Sequence, residues 1–418
     1  MSTQKKTQVL VVGAGPSGML AALTLAEAGV DVELIEEEPK PAGHSYALAL
    51  HPASLATLER FGLAAPLMRA GQRVKALAIY EGRDRRATIP VGDDRRPLLS
   101  LPQSAFERLL AEHLTKKGVR IHWGHRLARL EPGKTGIAAV VHRLERVSTG
   151  YGVARSDWVV DKEFRYEAAY LVGADGHGSL VRRILEIPFE EAGASQVYGV
   201  FESEPSGGPI EEMRLVIGAD TIDVLWPLPA GRARFSLELD APEVSAEERF
   251  KSRMLTQMGE RFFHTLHEAE IRPLLEARAP WFEFDPGSYG WSIEVRFERR
   301  LAGSFGRDRA WLVGDAAHLT GPAGIQSMNS GLREAVALAD ALSAVLRGGK
   351  GSDVLEGYGR ERRAEWRFLL GRSGGLKAGP KTPPWAAKHA ARLLACLPGT
   401  DAGLDALAGE VGLTAHRT

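Results

Sequence analysis

The sequence predicts an α/β fold in which a parallel-stranded unit is interrupted by a β-rich insertion, resumes, and is closed by a helical C-terminus. Three observations carry that expectation. A short β-branched run, Gln8 to Val12, leads straight into a glycine-rich turn. Residues 198 to 240 alternate apolar and polar positions between turn formers, the mark of an antiparallel sheet with two unlike faces. Near residue 310 the run AWLV restores the buried-strand character, and glycine-rich sequence and a long helical pattern follow it.

Each element has its own reason. Gln8 to Val12 has the continuous apolar character of a strand covered on both faces. From Pro16 to Ala28 the residues Met19, Ala22, Leu23 and Ala26 share one helical face, and Gly29 supplies the stop. Asp31 to Glu36 then reads as a second strand, completing a βαβ start. Helical spacing recurs at 54–61 and 103–117, and Val119 to Trp123 reads as a further strand. A helical stretch is expected at about 245–277, another from about Gly324 to Leu346, and two more patterns after that. Residues 376–418, rich in Ala, Gly, Leu and Pro, suggest C-terminal helices of no evident function.

The bulk composition narrows the functional classes. Lys plus Arg equals Asp plus Glu at 53 each, so no electrostatic case exists for nucleic acid or an anionic membrane. Cys396 is the single cysteine, which rules out an internal disulfide or a cysteine-based zinc cluster and reads as a free thiol on a C-terminal helix. No metal is expected. No stretch approaches about 20 uninterrupted apolar residues. The expectation is a cytoplasmic monomer or homodimer acting on a small molecule.

Three constellations carry chemistry. In Gly13-Ala14-Gly15-Pro16-Ser17-Gly18 the first glycine permits a tight turn, the second admits a pyrophosphate, and the third lets helix and strand pack closely. The helix start directs free N–H groups and partial positive charge at the phosphates. Glu36, at the end of the next strand, is placed to accept hydrogen bonds from ribose hydroxyls. The segment implies a dinucleotide without separating NAD from FAD. In the second constellation a strand runs into Asp175-Gly176, followed by Ser179 and Arg182. Asp175 either meets a ligand at a strand end or caps its own turn. In the third, Gly314-Asp315 follows AWLV and precedes Gly321-Pro322-Ala323-Gly324. Asp315 is suited to cofactor hydroxyls, and the helix start near Met328 and Asn329 to an electron-rich ring edge. His318 reads as a packed, hydrogen-bonded histidine rather than a base.

In this order and at these distances, GAGPSG, LVGADGHGSLVRR and WLVGDAAHLTGPAGIQSMNSGLREA resemble the group A flavoprotein monooxygenases, the para-hydroxybenzoate hydroxylase-like family, over about residues 8 to 372. The resemblance implies a Rossmann-like FAD-binding domain (1–72, 103–187 and 300–372), a β-rich substrate domain (73–102 and 188–299) and a C-terminal helical segment (373–418). It implies that Gly13, Gly15, Ser17 and Gly18 hold the FAD pyrophosphate and Glu36 the adenosine ribose. Gln103 would begin a flavin-contacting helix, and Asp175 and Gly176 would serve both FAD and NAD(P)H. Gly314 and Asp315 would face the ribityl side, and Gly324, Met328 and Asn329 the pyrimidine edge. The implied reaction uses NAD(P)H as a transient reductant and O2, and transfers one oxygen through a C4a-hydroperoxyflavin to an aromatic or polyketide-like substrate. Tyr198, Arg214, Trp226 and Phe235 are candidates to line the substrate side.

The sequence departs from the family in three places. Tyr46 stands where many relatives carry a phosphate-binding Arg, unless a nearby Arg or His44 supplies that charge. Ser327 replaces a glycine beside the flavin, and Glu334 replaces an Asp. His51 lies in a segment expected near the flavin, where a covalent tether is one reading and an ordinary histidine the other. Flavin-dependent halogenation and a reductase or dehydrogenase activity remain alternatives on the same fold. Against the first, Trp291-Ser292-Ile293 is a poor match to a halogenase motif. A protein that keeps FAD only as a structural element is the alternative from outside the enzymes.

Overall fold

The β-branched N-terminal run forms the strand Thr3–Val12, and both its flanks are paired in parallel, with Val32–Ile35 on one side and Arg155–Gly173 on the other. Ile121–His122 extends this sheet beyond Val32–Ile35, and Ala310–Leu312 extends it beyond Arg155–Gly173, again in parallel. Gly306–Arg307 closes one edge antiparallel. The computed structural model describes residues 3–41, 47–133, 135–149, 155–239, 255–258, 261–284 and 292–418. Among the described residues no helix is long and apolar enough to cross a membrane.

The helix Pro16–Glu27 is apolar on all sides and is buried along almost its whole length, from Gly18 to Leu25. It packs against the long helix Gln326–Leu346, which begins two residues later than the sequence spacing suggested because Ile325 takes a left-handed conformation, φ 49°.

A second sheet of eight strands has the order His318–Leu319, Ser292–Ala302, Phe189–Ser203, Ala233–Leu239, Ile222–Pro227, Glu212–Ile217, Ala76–Glu81 and Asp84–Pro90. Only Glu212–Ile217 and Ala76–Glu81 pair in parallel. Alternation gives this sheet two faces. Val224, Trp226, Leu215, Leu77 and Ile79 lie on the face that joins the main core. Phe201, Phe235 and Leu225 lie on the other, where Ile271 and Leu275 of the helix Glu268–Arg278 cover them.

Two stretches depart from the sequence expectation. The helical stretch expected at 245–277 is a helix only from Glu268; Leu255–Met258 and Arg261–His264 form an antiparallel pair, and 240–254 and 259–260 lie outside the described residues. The C-terminal segment is more ordered than its composition suggested. Its helices Pro384–Leu394 and Asp401–Glu410 sit between the paired strands Gly375–Ala378 and Leu413–His416, and Leu393, Leu397, Leu404 and Leu413 enter the main core. Cys396 is buried just past the end of the helix Pro384–Leu394, not on it, and burial pushes its thiol up to about 12.

Candidate functional site

Four adjacent parallel strands end on the same edge of the first sheet. Glu36 follows Val32–Ile35, Gly13 follows Thr3–Val12, Asp175 follows Arg155–Gly173, and Asp315 follows Ala310–Leu312. The carboxyl edge of an open α/β sheet, where successive connections leave to opposite sides, is where such folds leave a crevice for ligands.

The glycine turn is built as its spacing predicts. Gly13 has φ +99°, and a Cβ there would lie 2.3 Å from the Ala174 carbonyl oxygen. A Cβ on Gly18 would lie 1.9 Å from the Gly13 oxygen, so backbone packing requires both glycines. Gly15 differs: a Cβ there meets nothing within 4 Å, and this open space lies at the start of the helix Pro16–Glu27. Ser17 points toward the third constellation, where its Oγ lies 2.8 Å from a Cβ built on Gly314 and 2.7 Å from one on Gly331. Glu36 braces the turn, its carboxylate accepting from Ala14 N–H at 2.6 Å and from Glu38 N–H at 2.9 Å. Burial nevertheless pushes the Glu36 carboxyl above its usual range. Gln103 opens the helix Gln103–Lys116; it accepts from Ala47 N–H at 3.1 Å and donates to Glu107 at 2.7 Å. Burial pushes Glu107 up to about 7.

Asp175 follows the capping alternative. Its carboxylate accepts from Ser179 Oγ at 2.6 Å and from Val181 N–H at 3.0 Å, so both oxygens are engaged within its own loop. Gly176 beside it has φ +73° and open space around it. Arg182 ties this loop to the next constellation by donating to the carbonyls of His177 at 2.9 Å and Ala316 at 2.7 Å.

Asp315 is exposed, and its Oδ1 accepts from Ser327 Oγ at 2.8 Å. Behind it His318 is fully enclosed, with Nε2 at 2.8 Å from Glu334 and the ring stacked at 3.8 Å on Trp366. Glu334 also accepts from Gly314 N–H at 2.9 Å and from Trp366 Nε1–H at 2.7 Å. Burial raises the Glu334 carboxyl, but His318 and these donors outweigh it and leave it below the usual range. This is the packed histidine the sequence suggested.

Asn329, expected along a ring edge, commits its side chain within the protein. It is fully buried, accepts from His51 N–H at 2.8 Å and Ser54 Oγ at 2.7 Å, and donates to the carbonyls of Ala49 and Ile325. Its amide ties two loops together, leaving only its backbone for a ligand. Gly324 is enclosed as well: a Cβ there would lie 2.8 Å from the carbonyls of both Ala395 and Leu397. Met328, half-buried, packs against the main core. His51 is buried with Nε2 at 2.8 Å from the Gly324 carbonyl, and burial lowers its pKa to about 3. Tyr46 and His44 lie outside the described residues, as does Trp291.

The second sheet separates the four substrate-side candidates. Tyr198 and Trp226 lie on its inner face, and among the described residues the Trp226 Nε1–H has no hydrogen-bond partner. Arg214 and Phe235 lie on the outer face. Arg214 stacks over Trp281 at 4.6 Å and binds Glu212, while Phe235 stacks on Phe201. A shift of one residue exchanges the faces, and the alternation alone left that phase open. Sequence reasoning missed Gln196 and Glu238, which share the Tyr198 face. Gln196 Nε2 donates to Glu238 at 2.8 Å, and its Oε1 lies against the Gly321 turn. The signal available was polar residues at inner positions of otherwise apolar strands.

The donor set fits a flavin dinucleotide in kind: open space at a helix start, strand-end carboxylates, and a second glycine turn beside a long helix. A family model described as an FAD binding domain matches residues 6–372. The chain belongs to this FAD-binding family. The flavoprotein is 28% identical over 362 residues to a rifampicin monooxygenase of Rhodococcus hoagii, covering 85% of this chain and 68% of the relative. It is 27% identical over 374 residues to para-nitrophenol 4-monooxygenase of Pseudomonas sp. (strain WBC-3), covering 85% and 82%. Among solved structures, p-nitrophenol 4-monooxygenase PnpA from Pseudomonas putida DLL-E4 shares the fold with a TM-score of 0.71 at 21% identity, covering 97% of this chain and 92% of that one.

Proposed function

We propose that the flavoprotein is a monooxygenase that uses NAD(P)H and O2 to hydroxylate or epoxidise an aromatic or polyketide-like small molecule, in the cytoplasm. The observation that carries this reading is the meeting of two surfaces. The carboxyl edge of the first sheet, with the open Gly15 turn and the exposed Asp315, supplies a cofactor cradle. The inner face of the second sheet meets the Gly321 turn through Gln196, which is in turn bonded to Tyr198 and Glu238 on that face.

FAD supplies the electron transfer and oxygen activation that side chains lack. The chain's own residues do the rest. Gly15 and the helix start bind the pyrophosphate, and Asp315 accepts from cofactor hydroxyls. Tyr198, whose phenol burial raises well above its usual value, accepts from Gln196 Nε2 at 3.4 Å and keeps its own O–H for a partner on the substrate side. The buried inner face excludes water from the reacting carbon. Relatives named for rifampicin and para-nitrophenol support a phenolic or polyketide substrate class.

The test is anaerobic mixing of the purified protein with NADH and NADPH, then oxygenated turnover with phenols and aromatic polyketides under 18O2. The reading expects flavin bleaching by a reduced nicotinamide and one labelled oxygen atom in the product. Failure of both nucleotides to bleach the flavin, with and without candidate substrates, overturns it. Bleaching with unlabelled product instead selects a reductase or dehydrogenase.

A further inference from the structure

We infer that Ser327 is a positioning residue that fixes the Asp315 carboxylate for the cofactor by linking it to the enclosed His318–Glu334 pair. The inference deepens the proposed reading and rests on it. Ser327 Oγ lies 2.8 Å from Asp315 Oδ1 and 3.3 Å from His318 Nδ1. The opposite ring nitrogen of His318 is 2.8 Å from Glu334, whose remaining acceptor capacity serves Gly314 N–H and Trp366 Nε1–H. The hydroxyl therefore stands between an exposed carboxylate and a rigid interior. With both ring nitrogens protonated, the imidazolium donates to Glu334 through Nε2 and to Ser327 through Nδ1, and Ser327 donates to Asp315, so every donor along the chain has an acceptor. One oxygen of Asp315 is held and the other has no partner among the described residues. The hydroxyl is thereby drawn to Asp315 and His318, which accounts for a serine at a position where the resembled family carries glycine.

The test is FAD affinity of the stripped full-length protein, by fluorescence titration, for Ser327→Ala, Ser327→Gly and Ser327→Thr, each alone and with Asp315→Ala. The inference expects Ala and Gly to weaken FAD binding about three- to tenfold. Thr, which keeps the hydroxyl, should stay within about twofold of wild type. In the Asp315→Ala background the Ser327 variants should add nothing, because the group they position is gone. Apo-protein melting temperature reports a merely structural effect and should not move. Wild-type affinity in Ser327→Ala, or a loss that adds fully to that of Asp315→Ala, overturns the inference alone. Unchanged affinity in Asp315→Ala overturns it together with the assignment of Asp315.

Discussion

The carbonyl oxygen of Gly13 occupies the space a Cβ on Gly18 would need, 1.9 Å from it. Strand end and helix start are therefore in backbone contact, and Gly18→Ala must push them apart. Gly15, with nothing within 4 Å, carries no such constraint. Gly18→Ala should destabilise the fold by about 1–3 kcal/mol or more, as overpacked sites do. Gly15→Ala should leave apo stability unchanged and weaken FAD binding. Urea melts beside FAD titrations check both; equal apo stability for the two variants contradicts the assignment.

Asp175 and Asp315 should behave oppositely. Asp175→Ala removes the acceptor of Ser179 Oγ and Val181 N–H and should cost stability of about 1–3 kcal/mol with a small effect on FAD. Asp315→Ala should lower FAD affinity, by the roughly 1.5–3 kcal/mol of a charged hydrogen bond, and leave the apo fold intact. Paired melts and titrations would show a crossed pattern.

Glu334→Gln should be costly, about 3–5 kcal/mol, because it leaves His318 enclosed without its carboxylate. The pH dependence has a definite sign. The folded carboxyl lies below its ordinary value of 4.5, so its contribution is present above about that pH and is lost as pH falls further. Urea midpoints of wild type should therefore fall below about pH 4.5 more steeply than those of Glu334→Gln.

His51 refuses a proton in the fold, with burial lowering it from 6.5 to about 3. The unfolded chain accepts that proton below 6.5, so stability should decline as pH falls from there toward 3. His51→Gln should flatten this slope. The enclosed ring, with Nε2 engaged by Gly324, also favours dissociable cofactor. Acid precipitation should release all the FAD and leave the chain mass without an adduct.

Arg392 donates to the carbonyls of Gly218 at 2.8 Å and Ala219 at 3.0 Å, and to that of Thr221, fastening the helix Pro384–Leu394 to the second sheet. Arg392→Ala should lower stability by about 1–3 kcal/mol and expose the C-terminal segment to limited proteolysis. An unchanged cleavage pattern would show the segment is held elsewhere.

Much of the frame was legible because it follows from local rules. The βαβ start, the glycine turn and the strand ending at Glu36 rest on periodicity and on backbone clearance at Gly13 and Gly18, both of which are written in neighbouring residues. What was not legible depends on long-range register. Arg214 and Phe235 share an alternating pattern with Trp226, and only pairing with distant strands fixes which side each faces. Asn329 and Asp175 are polar residues near a ligand edge whose hydrogen bonds are taken up by the protein, and a linear motif does not show that commitment. The C-terminal strands were hidden because Gly375–Ala378 and Leu413–His416 find each other across two helices.

The wall that Ala395 and Leu397 raise against Gly324 has a consequence for biosynthesis. The glycine turn at Gly13 is backed by Ala174, whereas the turn at Gly324 has no backing until residues 395–397 have been made and have folded against it. The second part of the cradle is thus completed long after the first, and a chain truncated before residue 395 would keep the Gly13–Gly18 contact while leaving Gly324 unbacked.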